Sequence, residues 1–166
     1  MKNETIRSIT RNAFVAAIYV VLTVVATPIS YGMIQVRIGE ALMLLCFFRK
    51  DYIYGLTIGC FIANIFSFMW ADIIFGTLAT FLACLCIIFS KRLLIATLFP
   101  VVFNAIIVGL ELYFFGVGPF WLCAGGVALG EIVSVCVIGY TLFMLLWRRK
   151  ETMAYLGINK NLEPKW

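Results

Sequence analysis

The chain has 166 residues, of which 64% are hydrophobic and only 13% charged, and its mean hydropathy is +1.06. That length suits one domain, but too little polar surface remains to face water on all sides, so an ordinary soluble domain is excluded and lipid is the fitting solvent. The net charge of +5 does not indicate a nucleic-acid partner, because Lys and Arg stand in short clusters between apolar runs and not on one aromatic-laced surface.

Backbone groups in hydrocarbon must pair within their own segment, and no alternation of apolar and polar residues suggests strands. The chain therefore reads as an all-α integral membrane protein with six transmembrane helices. The first spans residues 9–27. Lys2, Arg7 and Arg11 before the apolar run superficially resemble a secretory signal peptide, but equally apolar segments follow, so it reads as a retained span. The second, 33–48, is short enough that its outer end is expected inside the protein. The third covers 52–70 and the fourth 73–90. The fifth covers 93–115, where Pro100 either kinks the helix or marks its true start, the second being favoured. The sixth covers 119–146. Residues 1–147 thus form a transmembrane domain, and 148–166 a short cytoplasmic tail too short to fold alone.

Charge placement orients these spans. Twelve of the thirteen basic residues precede helix 1 or follow helices 2, 4 and 6, which puts both termini on the cytoplasmic side of a multi-pass protein of the cell membrane. The opposite turns hold Tyr31, Trp70, Tyr113, Phe120 and Trp121, amphipathic rings suited to an interface. The thirteenth basic residue is Arg37, inside helix 2.

Charges within spans are costly and face a protein interior or cavity. Arg37, Glu40, Glu111 and Glu131 are such residues, with Asp72 at the outer turn and the amides of Asn64 and Asn104 nearer mid-membrane. By depth they gather in the outer half, where a site loaded from outside belongs. Arg37 and Glu40 share a helical face, as do Asn64 with Ser67, Asn104 with Glu111, and Glu131 with Ser134. Each has a plainer reading: Arg37–Glu40 as a closed salt bridge, Asp72 as a solvated acid or helix cap, the asparagines as interhelical links. Glu111 and Glu131 resist it, since one in-span cation cannot partner every acid.

Three small-residue steps allow close helix approach: Ala13–Ala17, Gly55–Gly59 and Gly126–Gly130, each with packing inside the chain as its default role. The six cysteines lie in apolar stretches without a Cys-x-x-Cys pair, and His is absent, so packing is favoured over metal or cofactor chemistry. No phosphate loop, nucleophile elbow or His-Glu-x-x-His motif is present, which leaves no visible machinery for an enzyme or for ATP hydrolysis by this chain.

The segments Tyr31-Gly-Met-Ile-Gln-Val-Arg-Ile-Gly-Glu-Ala-Leu42, Gly55-Leu-Thr-Ile-Gly-Cys-Phe-Ile-Ala-Asn64, Phe75-Gly-Thr-Leu-Ala-Thr80, Asn104-Ala-Ile-Ile-Val-Gly-Leu-Glu-Leu112 and Gly130-Glu131 resemble the QueT family of queuosine-precursor transporters. The likeness runs to about Leu146. It implies a substrate-binding (S) component of an energy-coupling-factor (ECF) importer of the ABC type, an S-component-like bundle that captures a 7-deazaguanine. It also implies a membrane coupling subunit (EcfT-like) and two ABC ATPases as partners, with Ala13 and Ala17 as the step meeting the coupling subunit. Carboxylates suit the parallel N–H donors of a deazaguanine edge and any cationic aminomethyl group. Trp70, Trp121 and Tyr31 are expected as aromatic walls, and Arg37, Asn64 and Asn104 as partners of the remaining ring atoms. The alternative is a stand-alone, ion-coupled secondary transporter of a small cationic or heterocyclic solute, with Glu111 or Glu131 as its proton site.

Overall fold

Apolar runs lacking strand alternation give helices throughout, and no strand occurs among the described residues, which in this computed structural model are 2–30, 35–67 and 69–158. The expectations for Tyr31, the first residues of helix 2, and Lys160, Pro164 and Lys165 of the tail lie outside the described residues.

Helix α1 is Lys2–Val25, followed by a helical turn at Thr27–Ser30. Helix α2 is Ile38–Phe48, wound as a 3-10 helix over Ile38–Leu44 and as an α-helix over Leu45–Phe48. Helices α3 and α4 are Tyr52–Asn64 and Asp72–Phe89. Helix α5, Leu93–Phe114, breaks at Thr97 into Leu93–Ala96 and Leu98–Phe114. Helix α6, Phe120–Arg148, contains a π-helical stretch at Ile132–Gly139, and α7 is Lys150–Tyr155.

Among the described residues four helices are long and apolar enough to cross a membrane: α1 from Glu4 onward, α4, α5 and α6. At about 2.0 Å per 3-10 residue and about 1.5 Å per α residue, α2 and α3 each rise roughly 20 Å, short of a hydrocarbon core of about 30 Å. Helix length alone therefore supports four crossings and not six. The expected third span stops at Asn64 because the N–H groups of Ile65, Phe66 and Ser67 bond three residues back, tightening the last turn, while the Asn64 amide donates to the Asp72 carbonyl at 2.8 Å and draws the chain over. Pro100 is the third residue of Leu98–Phe114, where a missing N–H costs no helical bond, so it marks a start and not a kink.

Small residues set the packing. A Cβ on Gly55 would stand 2.6 Å from the Asn12 carbonyl oxygen, and one on Gly59 3.1 Å from the Ala16 Cα, so this step seats α3 on α1 within the chain. Gly109 meets Ala124 between α5 and α6, and Gly139 meets Ala41 where the π stretch faces α2. Ala13 and Ala17 face outward on α1, and Ala13 borders an apolar groove of about 440 Å³ with Asn12, Ala16, Tyr54, Gly55 and Ile58. All six cysteines are free; Cys46, Cys60, Cys84 and Cys123 are buried, as packing residues would be.

One end of the bundle brings together the first turns of α1, the α2–α3 turn and residues 150–158. Asp51 accepts two bonds from Arg49, at 2.9 and 2.7 Å, and one from the Ser8 hydroxyl at 2.6 Å. Arg49 also donates to the Gly157 carbonyl at 2.9 Å, and the Tyr52 hydroxyl to that of Leu156 at 2.7 Å. Gly157, at φ +68, closes α7 with a Schellman pair, Gly157 N–H to Ala154 and Ile158 N–H to Met153, which buries Met153 and Ile158 in the core. The Arg49 guanidinium holds the Asp51 carboxyl below the usual carboxylate range, helped by the Ser8 bond. The tail thus folds by docking: too short to stand alone, it uses the bundle as its core.

Candidate functional site

At the opposite end, every helix from α1 to α6 brings a polar residue inward. Arg37 lies just before α2 in extended backbone, and its first-turn neighbour Glu40 follows on the 3-10 helix, where residues three apart stack one above the other. Their side chains approach to 3.7 Å, and the same guanidinium bonds Asp72 at 3.2 Å and the Ser30 carbonyl at 3.3 Å. Gly76 makes room for this: a Cβ there would stand 2.8 Å from the Asn64 amide nitrogen and 3.2 Å from an Arg37 nitrogen.

Asp72 is the first residue of α4, is 3% exposed, and accepts from Arg37, so its carboxylate is paired inside the bundle and not solvated. Asn104 crosses from α5 to donate to Glu40 at 2.6 Å. Glu131, from α6, lies beside Glu40, so two carboxyls from different helices face each other. The π stretch opens directly after Glu131, and Ser134 turns back to bond the Gly130 carbonyl at 2.9 Å. Gly130 is the point of closest approach: a Cβ there would overlap the Gln35 backbone, so glycine lets the segment leading to Arg37 lie on α6.

Glu111 sits apart from Glu40 and Glu131, with Asp72 and Arg37 as its charged neighbours. Neither of its carboxylate oxygens has a hydrogen-bond partner among the described residues. The cluster is sealed: Arg37 is 1% exposed, Glu40 0%, Asp72 3%, Glu111 3% and Glu131 1%. Four carboxyls therefore share one guanidinium in a lipid-solvated bundle, an acid-rich site that favours a ligand bringing N–H donors or positive charge. Among the described residues no group of His, Cys, Asp and Glu is arranged to hold a metal ion.

The structure thus joins Arg37, Glu40, Asn64, Asp72, Asn104 and Glu131, with Glu111 at their edge. Trp70 and Trp121 do not enter the cluster; they are 67% and 83% exposed, and their described ring contacts are with Phe115 and Phe120. Sequence reading missed Tyr19, whose fully buried ring lies beside Cys60 and Glu40, and Cys60 itself, 3.2 Å from the Thr80 hydroxyl and bonded by Asn64. A lone tyrosine deep in an aliphatic run was the available signal for the first.

The QueT transporter family matches residues 9–148. The queuosine precursor transporter QueT of Lactococcus lactis subsp. cremoris (strain MG1363) is 39% identical over 153 residues, covering 82% of this chain and 90% of the relative. No solved structure matches the chain.

Proposed function

The chain belongs to the QueT transporter family, and from that premise we propose that it captures a queuosine precursor, a 7-deazaguanine, in the Arg37 cluster for import across the membrane. The observation that carries the reading is the convergence of Glu40, Glu131, Asp72 and Glu111 on one guanidinium in the membrane domain. The pyrimidine edge of a deazaguanine presents parallel N–H donors that a carboxylate accepts in pairs, and Arg37 offers a donor for the ring carbonyl. Trp70 and Trp121, at the rim, are proposed as outer walls that meet the ligand on entry. The 39% identical relative is itself described as a queuosine precursor transporter, which supports this substrate class.

In this proposal the chain makes six crossings, with α2 and α3 as short spans and both termini in the cytoplasm. Charge placement supports it, as do the contacts of Ser8 with Asp51 and of Arg49 with Gly157 at one end and of Arg37 with Asp72 at the other. The chain acts as the capture subunit of an ECF-type importer. Energy comes from a coupling subunit and two ABC ATPases, because this sequence carries no nucleotide-binding motif, and the outward-facing Ala13–Ala17 step is the proposed contact.

Binding of the purified chain to a panel of deazaguanines, free queuine and unrelated vitamins tests the assignment. Submicromolar binding of a deazaguanine with no vitamin bound is expected; tight vitamin binding and no deazaguanine binding overturns it. A second reading, ion-coupled uptake by the chain alone, draws on the unpartnered oxygens of Glu111 and on Glu131. Gradient-driven uptake by proteoliposomes holding only this chain would establish the second reading and remove the need for ATPases.

A further inference from the structure

We infer that Glu111 is an ammonium subsite that selects substrates bearing a protonated amine and tolerates bulk on that amine; the inference rests on the reading of the Arg37 cluster as a deazaguanine site. Among the four acids, Asp72 is paired with Arg37, Glu40 has Arg37 and Asn104, and Glu131 lies against Glu40. Only Glu111 has both oxygens buried and unpartnered among the described residues. A carboxylate removed from water needs a counter-charge, and Arg37 is already held between Asp72 and Glu40.

Glu111 also borders an apolar groove, with both its oxygens buried beneath the wall. The groove, of about 410 Å³, lies between α4 and α5, and its other walls include Phe75, Leu78, Ile107, Leu110 and Phe114. The groove walls are apolar and partly aromatic, so substituents on an amine bound at Glu111 can extend along them. The two acid groups on either side of Arg37 then divide the ligand. Glu40, Glu131 and Asn104 face the heterocycle edge, and Glu111 takes a charged arm. A neutral arm that can only accept hydrogen bonds, such as a nitrile, turns lone pairs toward a carboxylate and gains nothing there.

The test compares binding of 7-aminomethyl-7-deazaguanine, its N-benzyl derivative and 7-cyano-7-deazaguanine to the purified full chain, wild type and Glu111→Gln, by isothermal titration. Wild type is expected to prefer both amines over the nitrile by about 10-fold to 100-fold, the worth of one charge-assisted hydrogen bond. Glu111→Gln is expected to bring that ratio to within about threefold by weakening the amines and sparing the nitrile. A wild type that binds both classes equally, or a variant that keeps the ratio or weakens both ligands alike, overturns the subsite while leaving the deazaguanine site standing. A wild type that binds neither class removes the functional reading and the subsite with it. If Glu111→Gln does not fold, Phe114→Ala, at a 78% exposed groove wall, is expected to weaken the N-benzyl amine a few-fold more than the primary amine through lost ring contact, and an equal effect on both or unchanged affinity overturns the inference.

Discussion

Arg37→Gln is the most demanding perturbation of the site, since it removes the guanidinium and leaves its carboxylates buried. At the N–O separations of 3.2 and 3.7 Å to Asp72 and Glu40, an effective dielectric near 20 gives gross attractions of about 5 and about 4.5 kcal/mol. Desolvation of all three groups offsets much of that sum, and removal of one member of a buried pair costs about 3–5 kcal/mol net because the partners stay uncompensated. For a domain of this size that loss lowers the unfolding midpoint by about 6–20 °C. The assay is thermal unfolding of the purified chain in detergent, with Asp72→Asn and the Arg37→Gln/Asp72→Asn double variant beside it. If the pair is the stabilising unit, the double variant is more stable than the sum of the two losses, with a coupling of about 0.5–3 kcal/mol. Strict additivity, or an Arg37→Gln variant as stable as wild type, would refute the view that Arg37 is a structural counter-charge.

Three further outcomes follow from the same geometry. Asn104→Leu deprives Glu40 of its 2.6 Å bond, leaving a buried carboxylate oxygen unsatisfied, and is expected to cost about 1–3 kcal/mol in thermal unfolding and to weaken deazaguanine binding. Gly130→Ala drives a methyl into the Gln35 backbone, which cannot rotate aside as a side chain can; a loss of about 1–3 kcal/mol with weakened ligand binding is expected, and a neutral result would mean the 35–37 segment is not held by α6. Asp51, held below the ordinary carboxylate range chiefly by Arg49, contributes stability that is full above its unfolded value near 4 and is lost as pH falls through the folded value. Thermal midpoints measured between about pH 6 and pH 3 should therefore fall less steeply in Asp51→Asn than in wild type.

What could be read in advance followed from single-residue costs in hydrocarbon. Arg37, Glu40 and Glu131 are too expensive in a span to be incidental, and the structure puts them together. Trp70 and Trp121 were placed by depth, and depth carries no information about rotation around the helix axis; both face outward. Tyr19 was invisible for the converse reason, since an isolated tyrosine has no partner within its own helix and its neighbours Glu40 and Cys60 arrive from other elements. The early end of α3 depends on one side-chain bond to Asp72, a contact across a reversal that no local periodicity encodes. The docked tail escaped as well, because the Met153–Ile158 contact and Gly157 cap span too few residues to give a helical period.

The irregular helices are where these failures meet the function. A 3.6-residue period assumes one residue every 100°, but Ile38–Leu44 is wound tighter and Ile132–Gly139 wider, and the two stretches pack on each other through Ala41 and Gly139. The tight winding stacks Glu40 on Arg37, and the wide one begins immediately after Glu131, so each irregularity sits beside the carboxyl it delivers. In two regular helices the same residues would drift around their axes, and Glu40 and Glu131 would need another register to face one another. The glycines that permit the contact, Gly130 against Gln35 and Gly139 against Ala41, are therefore as much a part of the acid pair as the acids. Substituting a glycine should move ligand affinity even where the carboxyls are intact, and this dependence separates a built site from polar residues buried by chance.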